Sequence, residues 1–234
     1  MKNGILILAF VCSVMFVMTG CAPKLLSKGE VYPDMYTKRP LTVLVLPAIN
    51  NTTAADATEC FNTTLTEAIG RVGYYSYPAM MISEILKMEG ISNTEMLSNV
   101  PPQKFKQFFG ADAVMYITIN KWDTNYYVVG GNVTVGMTYI LKSTDTGEIL
   151  WKYKHEAAVD TTGKNRGGGI IGLAVMLVET AVKTAMQDYV PVAKIVNNRS
   201  LNTIPFGKYN PFYNQDHQWQ VVVVDSAKFD ADAH

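Results

Sequence analysis

Cysteine is scarce in this chain, and the positions of its three copies already restrict their use. Cys12 lies inside an apolar N-terminal stretch, Cys21 stands directly behind it, and Cys60 alone belongs to the body of the chain. With the first stretch removed and Cys21 modified, Cys60 has no partner, so the mature chain holds no internal disulfide. Cys60 sits beside Phe61 in a helical pattern and reads as a buried, inert thiol. Histidine is equally sparse. His155, His217 and His234 are scattered, with no Cys or second His at metal-ligand spacing, which excludes the common zinc arrangements. An excess of charge of one sign is missing too: 20 Lys and Arg face 20 Asp and Glu, and loss of Lys2 leaves 19 basic residues. Neither nucleic acid nor an acidic membrane surface is an expected partner. No apolar run reaches the roughly 18 to 20 residues of a membrane-spanning helix. At 48 % hydrophobic and 17 % charged, the remainder is an ordinary globular chain, long enough for one core.

Catalytic signatures are thin. Gly167, Gly169 and Gly172 match the spacing G-x-G-x-x-G, but they follow a polar segment, Thr161 to Arg166, where a dinucleotide site needs a buried parallel strand. Asp145-Thr146-Gly147 spells the aspartic-protease triplet once, whereas that chemistry needs two carboxylates sharing a proton. Between two strands the same three residues are good turn formers. No Gly-x-Ser-x-Gly elbow and no convergent acid pair appears. The expectation is a protein without catalytic residues, metal or cofactor.

What the chain does possess stands at its N-terminus. Lys2 precedes an apolar run from Ile5 to Met18, closed by Thr19 and Gly20 before Cys21. A charged start, an apolar stretch and a small residue at the cut make a signal peptide, 1–20. Cys at the cut makes it a lipoprotein signal: cleavage falls between Gly20 and Cys21, and the Cys21 thiol takes the lipid. Each buried methylene is worth about 0.8 kcal/mol, and two or more acyl chains hold a protein on a bilayer durably. Ala22, in place of an Asp that would retain the protein at the inner membrane, favours the periplasmic face of the outer membrane. Residues 21–40 carry Lys24, Lys28, Lys38 and Arg39 with Gly29 and Pro33, and read as a tether. Stretched, it would reach roughly 60 Å at about 3.3 Å per residue.

Beyond the tether the pattern is α/β. Leu41 to Leu46 is a near-continuous apolar run, as in a strand buried on both faces. Phe61, Leu65, Ala68, Ile69 and Val72 recur at helical spacing, with Gly73 as the stop. Tyr74 to Tyr77 is a short strand, Ile82, Ile85 and Leu86 mark a second helix, and Pro101-Pro102 opens a third that ends at Gly110. Ala113 to Trp122, Tyr126 to Lys142 and Ile149 to Val159 then form an antiparallel meander. Val133, Val135, Met137, Tyr139 and Leu141 alternate inward on one strand, and Ile149, Trp151, Tyr153, His155, Ala157 and Val159 on the next. His155 reads as a packed or interfacial residue. A glycine-rich joint leads to a helix from Ile170 to Tyr189, stopped by Pro191. Gly168 to Val178 contains no charge. It is a core helix or, through Gly169, Ile170, Ile171 and Ala174, a contact with a partner or a second copy. The domain expected is 41–198, and 199–234 is an aromatic, loosely ordered tail with one strand candidate, Gln220 to Val224.

The blocks Leu46-Pro47-Ala48-Ile49-Asn50-Asn51, Gly73-Tyr74-Tyr75, Val100-Pro101-Pro102, Phe109-Gly110-Ala111-Asp112-Ala113, Gly147-Glu148-Ile149-Leu150-Trp151 and Gly168-Gly169-Ile170-Ile171-Gly172 occur in this order. With the lipoprotein signal they resemble a family of bacterial lipoproteins first catalogued as a genome-derived neisserial antigen, over roughly Cys21 to Asn198. The resemblance implies kinship with the periplasmic α/β domain of CsgG-like curli-secretion lipoproteins and the N-terminal domain of TolB. It therefore implies a mixed sheet with flanking helices, in three layers or two. It implies as partners a CsgG-like lipoprotein and a small third lipoprotein, and it brings no catalytic residue. CsgG-like proteins form a pore from long hairpins. Tyr126 to Val159 is one candidate hairpin, but it contains Lys142, Lys152, Lys154 and Glu156 and reads as soluble sheet. The expected function is an outer-membrane-anchored, non-enzymatic accessory subunit of an envelope assembly or export complex. The alternative is a stand-alone ligand-binding or regulatory lipoprotein. A homodimer is compatible with both.

Overall fold

The computed structural model describes residues 25–91, 94–127, 130–160 and 190–222. The segment expected as a signal peptide, Cys21, and the glycine-led segment expected as a helix, with Gly169, Ile170, Ile171 and Ala174, lie outside those residues.

The described chain starts with strand β1 (Leu25–Ser27) and two short helices, α1 (Lys28–Val31) and α2 (Pro33–Lys38). Ser27 and Glu30 form a reciprocal capping box at the start of α1. Pro33 opens α2, where its missing N–H costs nothing. This stretch was expected as part of a tether, and that expectation is corrected: Tyr32 and Met35 are buried in the main core. They supply the apolar contacts that the run of basic residues obscured.

Then come β2 (Thr42–Val45), β3 (Ile49–Asn50), α3 (Ala57–Arg71), β4 (Tyr75–Ser76), α4 (Ala79–Met88), a 3-10 turn (Thr94–Asn99) and α5 (Pro102–Phe109). The meander follows as β5 (Ala113–Tyr127), β6 (Gly130–Ser143) and β7 (Ile149–Asp160), and the described chain ends with α6 (Val190–Leu201) and β8 (Gln220–Val222). The main sheet runs β4-β2-β5-β6-β7, with β3 also along β5. Strands β4, β2, β3 and β5 are parallel, and β5, β6 and β7 are antiparallel. This is the expected mixed α/β sheet with flanking helices. Strand β1 pairs antiparallel with β8 in a separate two-stranded ribbon.

Alternation on β2 explains the layers. Val43 and Val45 face the large core under α3 and α6, while Leu44 and Leu46 join Ile82, Leu86, Leu97 and Phe105 on the other side. The α/β half therefore has three layers. The meander adds a two-layer region, with Val135, Met137, Tyr139 and Leu141 turned to α3 and α6. Trp151 and Tyr153 of β7 are buried in the same core.

Loop chemistry accounts for one quoted block. Gly110 ends α5 at φ +69°, and the Asp112 carboxylate then accepts the backbone N–H groups of Leu41 and Thr42, each at 3.0 Å. It thereby ties the entrance of β5 to that of β2. On β7 a bulge opposite Leu141 and Lys142 inserts one residue, so Leu150 is buried and Ile149, expected inside, is 46 % exposed. Pro191, expected to stop a helix, lies in the first described turn of α6, where proline is tolerated. The tail is corrected as well: as far as Val222 it is folded, with Leu201, Ile204 and Val221 in the main core.

Candidate functional site

The chain's two described ends meet in a clasp. Backbone bonds place them first: the N–H of Lys28 donates to the Trp219 carbonyl at 2.8 Å, and that of Gly29 to the His217 carbonyl at 3.0 Å. Lys28 is then turned inward, 1 % exposed, and its ammonium donates to Asp216 Oδ2 at 3.0 Å and to the Ile204 carbonyl at 2.7 Å. The Phe206 ring lies 4.2 Å from the ammonium, within cation–π range. Asp216 is fully buried, and it also accepts the Phe206 N–H at 3.0 Å and the Tyr36 hydroxyl at 3.1 Å. Burial pushes the Lys28 pKa down, against the raising effect of the Asp216 hydrogen bond and charge. Tyr36 also stacks on the His217 ring at 3.7 Å.

A second seam joins the tail to the end of α3. Gly73 has φ +93°, and any Cβ on Gly207 would collide with the Gly73 backbone. The Gly207 N–H donates to the Val72 carbonyl at 2.9 Å and the Tyr209 N–H to that of Gly73 at 3.0 Å. Beneath it runs a buried polar row. The Tyr139 hydroxyl donates to Asn197 Oδ1 at 2.7 Å, and Asn197 Nδ2 donates to Thr64 Oγ1 at 2.7 Å, linking β6, α6 and α3.

His155 is buried on β7, as a packed residue should be, with Nδ1 3.1 Å from Ser200 Oγ. The Ser200 hydroxyl spends its proton on the Val196 carbonyl at 2.8 Å, so His155 must donate from Nδ1. Nε2 is buried without a partner, and burial followed by the Arg199 charge pushes the pKa down to about 4. A neutral imidazole that donates to serine cannot take the serine proton, so the pair as placed is structural.

The other sequence candidates are dispersed. Asp145-Thr146-Gly147 is a turn, with Gly147 at φ +79° and Asp145 2.5 Å from Lys106 Nζ. His217 belongs to the clasp, His234 lies outside the described residues, and Cys60 is half-buried against the core. Among the described residues no group of three or more His, Cys, Asp or Glu could hold a metal ion. Sequence reasoning missed the clasp, and only the Ser27-x-x-Glu30 spacing hinted that structure begins there.

Two surface features remain. Met80, Met81, Met88, Met96 and Phe108 are exposed on the layer formed by α4, the 3-10 turn and α5, with Met80, Met88 and Phe108 all above 75 %. Near the carboxyl end of β2, Leu46, Pro47, Ile49, Leu97, Ser98, Tyr116 and Ile117 line a depression with room for about one water molecule. The hydroxyl of Tyr116, one of these lining residues, is buried without a hydrogen-bond partner.

Residues 31–207 match the family described as "Putative lipoprotein GNA1162-like". The chain belongs to the GNA1162-like lipoprotein family. A curated relative, "Putative lipoprotein NMB1124/NMB1162" of Neisseria meningitidis serogroup B, is 28 % identical over 157 residues, covering 67 % of this chain and 72 % of that protein. The crystal structure of lipoprotein GNA1162 from Neisseria meningitidis is 28 % identical with a TM-score of 0.50, covering 54 % of this chain and 88 % of that one. Membership makes this a lipoprotein, which implies a membrane-anchored place in the cell envelope, and the family carries no indication of catalytic activity. Lys28, Asp216 and Trp219 lie beyond the two ends of the matched segment, whereas the Gly73–Gly207 seam lies within it.

Proposed function

We propose that this chain is cleaved behind Gly20, acylated on Cys21 and held at the periplasmic face of the outer membrane. There it serves as a non-enzymatic accessory subunit of an envelope assembly or export complex, with a CsgG-like lipoprotein and a small third lipoprotein as partners. The observation that carries the protein-binding part is the exposed methionine face. Methionine is flexible and polarizable and recurs on adaptable binding surfaces, and Phe108, on α5 of the same layer, is a further large exposed side chain. The segment 169–174, outside the described residues, is proposed as a second contact on its sequence. The test is a mild-detergent pull-down of natively expressed protein with mass spectrometry, alongside Met88→Glu and Phe108→Glu. Both side chains point to solvent, so their loss leaves the core intact. A CsgG-like lipoprotein at comparable abundance, lost in the variants, supports the reading. Recovery of the protein alone, or equal recovery from the variants, overturns it.

The depression lined by Tyr116 favours a second reading, a ligand-binding or regulatory module, because its buried hydroxyl has no partner and a small shift of the ring would let a polar ligand atom satisfy it. Its small size restricts the occupant to a water or the tip of a larger molecule. Tyr116→Phe would then abolish ligand-induced thermal stabilisation while leaving the pull-down unchanged.

A further inference from the structure

We propose that the aromatic surface around the clasp docks on the phospholipid bilayer that holds the anchor. The inference rests on acylation at Cys21. Only four peptide units separate Cys21 from Leu25, the first described residue of the fold, a reach of no more than about 14 Å. A folded body of some 165 residues has a radius of gyration of about 15 Å, so so short a leash turns the face around Leu25 to the membrane.

The surface found on that face has the chemistry of the bilayer interface. Leu25 is 52 % exposed, Phe212 51 % and Trp219 46 %. The β1–β8 register sets Ser27 opposite Gln220 and Leu25 opposite Val222, so the Trp219 backbone lies within roughly 11 Å of Leu25 at ordinary strand spacings. The Phe212 and Trp219 rings are 5.8 Å apart, and both pack on Phe206. Tryptophan and phenylalanine exposed together beside an acyl anchor suit the headgroup boundary, where an apolar body and a polar N–H are both accommodated. The buried Lys28 beneath Phe206 holds these rings in place, so they meet the bilayer without an ordering cost. The lipid chains at Cys21 then act as one contact and the rings as a second, fixing which face of the domain looks at the membrane and sending the methionine layer to its partner in one orientation.

The test uses the full-length acylated protein, reconstituted into phosphatidylethanolamine–phosphatidylglycerol vesicles with and without bromine on the acyl chains. Trp122 and Trp151 are buried, and Trp219 is the exposed one of the three tryptophans. Brominated lipid is expected to quench up to a third of the emission, one tryptophan's share of three, and Trp219→Phe to abolish the quenching. Intact mass of the same sample reads acylation separately. Acylated protein with no bromine quenching overturns the docking and leaves the anchor standing; protein without lipid on Cys21 overturns both. If Trp219→Phe does not fold, iodide quenching of the unmodified protein decides. Loss of iodide access on vesicles, with bromine quenching, supports the contact, and unchanged iodide access overturns it.

Discussion

Replacing Lys28 by Met should cost this protein about 3 to 5 kcal/mol, because it removes one member of a buried ion pair and leaves the other. Asp216 is fully buried, and without the ammonium it keeps the Phe206 N–H and the Tyr36 hydroxyl as donors but no compensating charge. Domains of this kind have stabilities of about 5 to 15 kcal/mol, so the loss is a large fraction of the whole. With a urea dependence near 2 kcal/mol per molar, the midpoint should fall by about 2 M. Asp216→Asn should cost a similar amount by stranding the ammonium against the Ile204 carbonyl. The double variant should be less damaging than the two losses added together, with a coupling of about 2 to 3 kcal/mol. The assay is urea unfolding of the chain from Ala22 onward, followed by tryptophan fluorescence. A loss below about 1 kcal/mol for either single variant, the value of an exposed pair, would refute the reasoning. The consequence reaches function: with the clasp open, residues 25–31, up to the core residue Tyr32, would join the leash and lengthen it from about 14 Å to roughly 40 Å.

Four further outcomes are expected, the first from the sequence and the others from the geometry. Cys21→Ala should remove the protein from the membrane fraction and abolish palmitate labelling, read by fractionation of cells; unchanged membrane association would sink the anchor. Gly207→Ala should destabilise by about 1 to 3 kcal/mol, since a Cβ there meets backbone that cannot rotate away, and thermal unfolding reads it. Tyr139→Phe should cost about 1 to 3 kcal/mol by leaving the buried Asn197 Oδ1 without its donor, measured by urea unfolding. His155 has a pKa near 4 in the fold against about 6.5 unfolded, so as pH falls through that window the unfolded chain binds a proton that the native one refuses. Its contribution is complete above pH 6.5 and declines by about 3 kcal/mol towards pH 4; unfolding curves across that range should be flatter for His155→Gln.

Where residues interact with near neighbours, the fold was legible. The 3.6 spacing of Phe61, Leu65, Ala68 and Ile69, the proline at the start of α5 and the glycine after it are local signals, and the structure follows each. Leu150 shows how little it takes to lose the thread. One inserted residue on β7 exchanges the two faces, and nothing within β7 announces it, because the bulge is defined by pairing with β6. His155 was legible as a packed residue, but not its tautomer, which is set by a serine 45 positions away and that serine's own bond to Val196.

The α/β order and the antiparallel meander were written in the sequence by itself, since each depends on residue types a few positions apart. The clasp was decided by tertiary structure alone. Lys28 and Asp216 are 188 residues apart, and each in isolation is an ordinary surface charge. They can be buried only because β1 and β8 pair and Phe206 closes over the ammonium. A charge enters a protein interior only with its partner and its hydrogen bonds already in place, and no local pattern encodes that meeting.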